Sequence, residues 1–365
     1  MTRQDGTWGK LFPTPWSFVI FVAYMVLFIN QGIIVTASQR ADSSYSYNTV
    51  TVVFLTEATK LLTSLIIFLK DNRLSTLIAD MRTHLRVLGL YMVPALLYCL
   101  YNNLAFVNLA AFDPTTYFLL LQLRVVVTGI SFQVVFKKQL SRRQWVSLLI
   151  LTVGCIVKQL SSIKKQEISP TQPESTYTTF FLNFASLHTG LMLVQVFCSC
   201  LAGVYNEKLL KDTGVEVHIM VQNVFMYIDS IICNAVILLF RGELFSAFTA
   251  ASLTQVWQLA VVVIIINNAA VGIVTSFFLR NLNSILKTFA SALELMFTAI
   301  LSWIIFGIPV DWWTAAAITL VIYATYMYAQ SPVVNRGRLD ELEKGMTSGE
   351  AEQEMLVINR SMTAV

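Results

Sequence analysis

The sequence predicts an all-α polytopic membrane protein with about ten transmembrane helices, arranged as two inverted five-helix repeats. Three observations carry this reading. Of the 365 residues, 56% are hydrophobic and only 13% charged, and mean hydropathy is +0.66. A soluble domain carries about 25% charged residues, so a soluble globule is excluded. Apolar stretches long enough to cross ~30 Å of hydrocarbon recur along the chain between polar breaks. Finally, a few charges sit at mid-helix depth, above all Arg124 inside the stretch 113–136. A guanidinium persists there only when it faces a polar cavity or a partner, so those charges mark a solute pathway.

The segments fall at roughly 15–38, 48–70, 87–109, 113–137, 143–160, 187–210, 217–240, 253–279, 283–306 and 310–330. The first has neither the short apolar core nor the small-residue cleavage site of a removable leader and is expected to remain as a helix. Residues 1–14 form a short N-terminal arm, 15–330 the membrane domain, and 331–365 a charged, Gly-containing tail expected to be mobile. Residues 161–186, with Pro170 and Pro173, are expected to link a first repeat (about 15–160) to a second (about 187–330).

Cations set the orientation. The even-numbered connections hold Lys70, Arg73, Arg82, Arg86, Lys137, Lys138, Arg142, Arg143, Lys208, Lys211 and Arg280, whereas the odd ones hold Arg40, Lys164, Lys165 and Arg241. This bias predicts both termini in the cytosol, which leaves the sequon Asn359-Arg360-Ser361 on the side where glycosylation does not occur. Cys99, Cys155, Cys198, Cys200 and Cys233 all fall in apolar segments and read as packing residues, not as a disulfide framework.

Self-similarity predicts the repeat. At an offset of 170 residues, the stretch ending at Phe136 overlays the one ending at Phe306, and each is followed by a polar turn, a Trp (Trp145 or Trp312) and another apolar helix. Tyr117 falls on Lys287 and Arg124 on Glu294. An odd number of spans per half reverses the second half, and inverted repeats place solute near the midplane at their interface. Tyr117 and Arg124 are seven residues apart, as are Lys287 and Glu294, so each pair shares one helical stripe about two turns apart. Competing readings stand beside this one: Lys287 snorkels to headgroups, and Arg124 forms a purely structural pair with Glu294.

Glu57 and Lys60, at i and i+3, either neutralise each other or contact solute. Asn102 and Asn103, with Gln222, Asn223, Tyr227 and Asp229, offer donors and acceptors suited to a base or sugar, yet such groups also glue helices together. Asn223 and Tyr227 share a face. His84, His188 and His218 lie at segment boundaries in no metal-ligand spacing. No G-x-S-x-G, H-E-x-x-H, Walker or Gly-rich phosphate loop occurs, so no enzyme activity and no cofactor are expected. Two cations, an acid, amides and tyrosines at midplane suit an anionic, hydrogen-bonding solute, with phosphate the natural anion.

These residues make the chain resemble the nucleotide-sugar transporters of the drug/metabolite transporter superfamily, in the branch carrying CMP-sialic acid, UDP-galactose and UDP-N-acetylglucosamine. The resemblance covers nearly all of the chain to about residue 330. It rests on TEATKLL (56–62), VPALLYCLYNNLAFVNLAAFDPTTYFLLLQLRV (93–125), SRRQWVSLLILTVG (141–154), CLAGVYNEKLLK (200–211), QNVFMY (222–227) and an Asn-containing pattern ending at Lys287. It implies a ten-helix carrier of Golgi or endoplasmic reticulum membrane that exchanges cytosolic nucleotide sugar for lumenal nucleoside monophosphate by alternating access.

Carried over residue by residue, it implies phosphate contacts at Tyr117, Arg124 and Lys287, nucleotide contacts at Asn223 and Tyr227, a polar third-helix residue at Asn102, and cavity-lining hydroxyls at Thr275 and Ser276. Partners are then nucleotide sugar, nucleoside monophosphate and membrane lipid, with a homo-oligomer or glycosyltransferase association and no nucleic acid. Three positions depart from the family pattern. Arg124 stands where Lys is common, Val271-Gly272 replaces a Gly-Gly pair, and Glu294 puts an acid where small residues are usual. A non-transporting membrane interaction protein of the same fold is the alternative, with Glu294 locking Arg124 in a permanent pair.

Overall fold

The computed structural model describes residues 11–12, 14–38, 47–111, 117, 120–166, 187–213, 216–242, 245, 248–306 and 310–331. Within them the chain is helical: α1 (Pro15–Ala37), α2 (Thr49–Asp71), α3 (Leu74–Thr83), α4 (Leu85–Ala111), α5 (Arg124–Phe136), α6 (Arg142–Gln166), α7 (Leu187–Lys208), α8 (Ile219–Arg241), α9 (Ala250–Val256), α10 (Leu259–Asn281), α11 (Ser284–Phe306) and α12 (Trp312–Gln330). A π-helical turn, Leu209–Thr213, prolongs α7. By length and composition six helices among the described residues are apolar enough to cross a membrane, within α2, α4, α7, α8, α10 and α11, and α1 and α5 contain shorter apolar stretches. The N-terminal arm, the tail after Ser331 and its sequon lie outside the described residues.

Local sequence explains the starts and stops. The Asn48 side chain accepts from the Val50 and Thr51 amides at 2.9 and 3.3 Å, which caps α2. His218 Nδ1 accepts from the Met220 amide at 3.2 Å, so this histidine, expected only to be interfacial, is the cap of α8. Gly242 closes the same helix with φ +71°, a conformation that costs glycine least. Two short helices were not anticipated. One, α3, occupies a connection read as a loop. The other, α9, comes from the segment expected to run over 253–279, which breaks at Trp257–Gln258 because Gln258 is extended and the Trp257 amide turns back to the Thr254 and Gln255 carbonyls. In the opposite direction, α6 runs on to Gln166, into the stretch expected to be linker.

The protein is apolar outside and polar in places inside. Ile66, Val134 and Ile304 are among its most exposed side chains, whereas Asn108, Gln195, Glu207 and Gln222 are fully buried. Trp16, Trp257 and Trp312 stand exposed at helix ends, where an interfacial belt places its indoles. The five cysteines are buried and free.

Extensive packing joins α6 with α12, α4 with α7, α1 with α10, α8 with both α2 and α4, α10 with α2, and α7 with α5. Smaller contacts join α11 with α12, α1 and α5, and α5 with α6. The α6–α12 contact is closest at Gly154, where an added Cβ would lie 3.0 Å from Val321 Cγ2 and 3.2 Å from Leu320 Cβ. Polar clasps hold the same pair near its ends: Gln144 Nε2 donates to the Ser331 carbonyl at 2.8 Å, and Lys158 Nζ to Thr314 Oγ1 at 3.1 Å.

Candidate functional site

Two polar clusters form inside the bundle. The first gathers on α5, α7 and α11 with contributions from α4. Arg124, expected at mid-helix, instead opens α5 just past a turn at Gln122–Leu123, and its carbonyl accepts the Thr128 hydroxyl at 2.7 Å and the Cys200 thiol at 3.2 Å. Lys287 stands in the first turn of α11, and the two half-buried cations act repulsively on each other, with the Cys200 thiol between their fields. Asn283 fixes the start of α11: its Oδ1 accepts the Leu286 amide at 2.7 Å and the Tyr328 hydroxyl at 3.3 Å. Tyr117 is buried and its hydroxyl accepts from Gln195 Nε2 at 2.8 Å, while Gln195 Oε1 accepts from Asn108 Nδ2 at 2.6 Å. Tyr101 lies within the electrostatic reach of both Arg124 and Tyr117.

Two like charges in this setting repel, and a buried cation without a counter-ion is costly. The acid in this neighbourhood is Glu294, which lies within the electrostatic reach of Arg124. Among the described residues the two make no direct ion pair, since the ion pairs there are Glu57–Lys60 and Glu207–Lys211. Tyr24, from α1, joins the same neighbourhood through Ser291 and Glu294. The cluster is therefore cationic, with hydroxyls at its rim.

The second cluster joins α2, α8 and α10. Lys60 Nζ contacts Glu57 Oε1 at 2.6 Å and lies 5.6 Å from the centre of the Tyr227 ring, a cation–π geometry. Gly272 makes that approach feasible: a Cβ there would meet Lys60 Cε at 2.7 Å and Cδ at 2.9 Å, with the Tyr227 hydroxyl at 3.3 Å. Tyr227 and Asn223 are 5% and 2% exposed, yet the Tyr227 hydroxyl and the Asn223 amide nitrogen have no hydrogen-bond partner among the described residues. The Tyr227 hydroxyl faces Ser276 and Glu57. Buried donors left open are costly unless something fills them. Thr275 and Ser276 spend their hydroxyl protons on their own helix, on the Val271 and Gly272 carbonyls at 2.7 and 3.4 Å, and so present acceptor lone pairs.

Of the residues singled out from sequence, Tyr117, Arg124, Lys287 and Glu294 thus share one neighbourhood, and Glu57, Lys60, Asn223, Tyr227 and Ser276 another. Asn102 is exposed and joins neither through a hydrogen bond. Gln222, grouped with Asn223 on sequence, is structural: its Oε1 accepts the Tyr91 hydroxyl at 2.6 Å and its Nε2 donates to the Val217 carbonyl at 2.8 Å.

Gln195, Asn108, Tyr101 and Cys200 had not been picked out. The signal was present for Gln195, an amide in the middle of an apolar helix. Lys211, counted among connection charges, is instead buried against Glu207, which sequence reasoning had not considered. Among the described residues no group of His, Cys, Asp and Glu is placed to hold a metal ion.

The arrangement is thus that of a helical membrane domain with cationic and hydrogen-bonding clusters in its interior. The comparisons with known proteins are more specific. The family model described as nucleotide-sugar transporter matches residues 17–329. The chain is 58% identical over 355 residues to the UDP-galactose transporter senju of Drosophila melanogaster, covering 92% of each chain. It is 28% identical over 341 residues to CMP-sialic acid transporter 3 of Oryza sativa subsp. indica, covering 88% of this chain and 79% of that one. A protein crystal structure superposes with TM-score 0.58 at 14% identity, over 88% of this chain and 98% of the other, a likeness of fold alone. The chain belongs to the nucleotide-sugar transporter family.

Proposed function

We propose that the protein is an antiporter that brings a cytosolic UDP-sugar, UDP-galactose ahead of UDP-N-acetylglucosamine, into the Golgi lumen in exchange for nucleoside monophosphate. The observation that carries the substrate is the 58% identity to a UDP-galactose transporter over nearly the whole of both chains. In this reading Arg124 and Lys287 hold the diphosphate, with Tyr117 beside them. Asn223 and Tyr227 offer their open donors to the nucleotide, and the acceptors of Thr275 and Ser276 face the same solute. The Glu57–Lys60 pair flanks it, Asn102 reaches it only when the carrier changes state, and Glu294 stands in for phosphate when the site is empty. Both termini lie in the cytosol, as the cation bias requires. Endoplasmic reticulum is the alternative membrane.

Alternating access needs two halves that rock against each other, and the packing supports the ten-helix, two-repeat reading. Let α1, α2, α4, α5 and α6 exchange places with α7, α8, α10, α11 and α12. The α4–α7 contact then becomes α1–α10, α4–α8 becomes α2–α10, α5–α7 becomes α1–α11, and α5–α6 becomes α11–α12. The α2–α8, α5–α11 and α6–α12 contacts map onto themselves, so the extensive and smaller pairings named above form, together, a closed set. The short helices α3 and α9 exchange as well, each between the second and third spans of its half.

The test is uptake by liposomes preloaded with UMP and supplied with UDP-galactose, UDP-N-acetylglucosamine and CMP-sialic acid in turn. Arg124→Ala and Lys287→Ala are expected to abolish exchange while the protein remains folded and correctly localised. Wild-type uptake by either variant sinks the diphosphate assignment, and stronger inhibition by CMP than by UMP sinks the uridine assignment.

A further inference from the structure

The helix α3 lies in a connection outside the candidate spans. It docks through Leu77, which is buried, and Met81, which packs against the same core cluster. That inward face accounts for its attachment. It does not account for Leu74 and Ile78, four residues apart on another face and exposed, and the exposed stripe continues into Leu85 at the first residue of the α4 span. Exposed leucine and isoleucine on an extramembrane segment need a second apolar medium.

Around this stripe stand Lys70, Arg73, Arg82 and Arg86, all exposed. None of their side chains makes a hydrogen bond or ion pair among the described residues. The acids in the stretch, exposed Asp71 and half-buried Asp80, both exert their field on His218 at the cap of α8. The four cations stand exposed beside the apolar stripe. The counterpart helix α9 has another chemistry: no Lys or Arg within Ala250–Val256, and exposed Phe248, Trp257 and Leu259 around it.

From this placement we infer that α3 and its flanks are a binding surface for anionic phospholipid, with Leu74, Ile78 and Leu85 in the upper acyl region and the four cations on lipid phosphates and carboxylates. A short amphipathic helix rimmed by four cations next to a span is the arrangement that anionic leaflets attract, and anchorage at one leaflet would hold the α2–α4 hinge at a fixed depth. The inference is independent of which solute the protein carries.

The experiment uses the purified full chain in mixed micelles of phosphatidylcholine with or without phosphatidylserine. Retained lipid is read by native mass spectrometry and stability by the thermal unfolding midpoint. Wild type is expected to retain phosphatidylserine and to gain stability from it, with both effects fading as salt rises and screens the headgroups. Substituting Lys70, Arg73, Arg82 and Arg86 together by Gln should weaken retention roughly tenfold or more, whereas Arg142→Gln with Arg143→Gln should leave it near wild type. Inorganic phosphate at matched concentration should not displace the lipid. Equal retention of phosphatidylcholine and phosphatidylserine by wild type overturns the inference even if the quadruple variant fails to fold. So does displacement by free phosphate, or an equal loss in the Arg142/Arg143 control.

Discussion

Replacing Glu207 with alanine strips the counter-charge from a lysine whose side chain is almost entirely enclosed. Glu207 is 0% exposed, and the Lys211 side chain, 6% exposed, sits 2.5 Å from Glu207 Oε1. The other carboxylate oxygen, Oε2, accepts the Ser284 amide at 2.7 Å and so caps the first turn of α11. Lys211 also donates to the Leu282 carbonyl. One side chain thereby joins the end of α7 to the turn between α10 and α11, three residues before Lys287. Breaking a buried pair by removing one member costs about 3–5 kcal/mol, and leaving the Ser284 amide unsatisfied contributes about 1–3 kcal/mol within that loss. Taking ~4 kcal/mol, the unfolding midpoint of a chain this size should fall by about 5 °C.

The assay is thermal unfolding of the detergent-solubilised protein, with Glu207→Ala, Lys211→Met and the double variant run together. The double variant buries no orphan charge, so it should recover much of the loss and give a strongly non-additive cycle. Glu207→Gln, which keeps an acceptor for Ser284, should fall between wild type and Glu207→Ala. A wild-type midpoint for Glu207→Ala, or additive single effects, refutes the view that this contact is a buried, mutually dependent pair.

Other consequences follow from specific contacts. Gly272→Ala places a methyl 2.7 Å from Lys60 Cε; the flexible lysine stem should move and lose its position over Tyr227, raising KM for nucleotide sugar several-fold while stability changes by about 1 kcal/mol or less, and unchanged uptake kinetics would show that the Lys60 position is immaterial. Gln195→Leu leaves Asn108 without its acceptor and Tyr117 without its donor, so stability should fall by about 1–3 kcal/mol; a neutral result in thermal unfolding would mean that water replaces the amide. The His218 pKa is lowered from 6.5, chiefly by burial and then by the Arg280 charge. Only the neutral ring can accept from Met220, so the cap should stabilise α8 fully above about pH 6.5 and weaken as pH falls from there toward the lower folded value; His218→Asn should remove that pH dependence in thermal unfolding while keeping the cap, and an unchanged profile would locate the titration elsewhere.

The amino-acid sequence determined the class of this protein and most of its spans, because a bilayer permits few backbone solutions and apolar length reports them directly. It also pointed to Arg124, Lys287 and Glu294, since an ionisable group inside an apolar stretch is conspicuous without any fold. Asn223 and Tyr227 were readable as a pair from their spacing. What it could not decide was which polar groups already have partners. Gln222 and Asn223 are adjacent in sequence, yet Gln222 is satisfied by Tyr91 and Val217, while the Asn223 amide nitrogen is open. Lys211 counted as a connection charge, and Glu207 was not considered, until the packing of α7 against the α10–α11 turn brought them together. The 170-residue offset sets Arg124 against Glu294 in sequence, yet only the relative placement of α5 and α11 fixes the gap between them. In each case the sequence sets the chemistry of a side chain and its position along one helix, whereas pairing depends on how helices far apart in the chain are rotated and brought together.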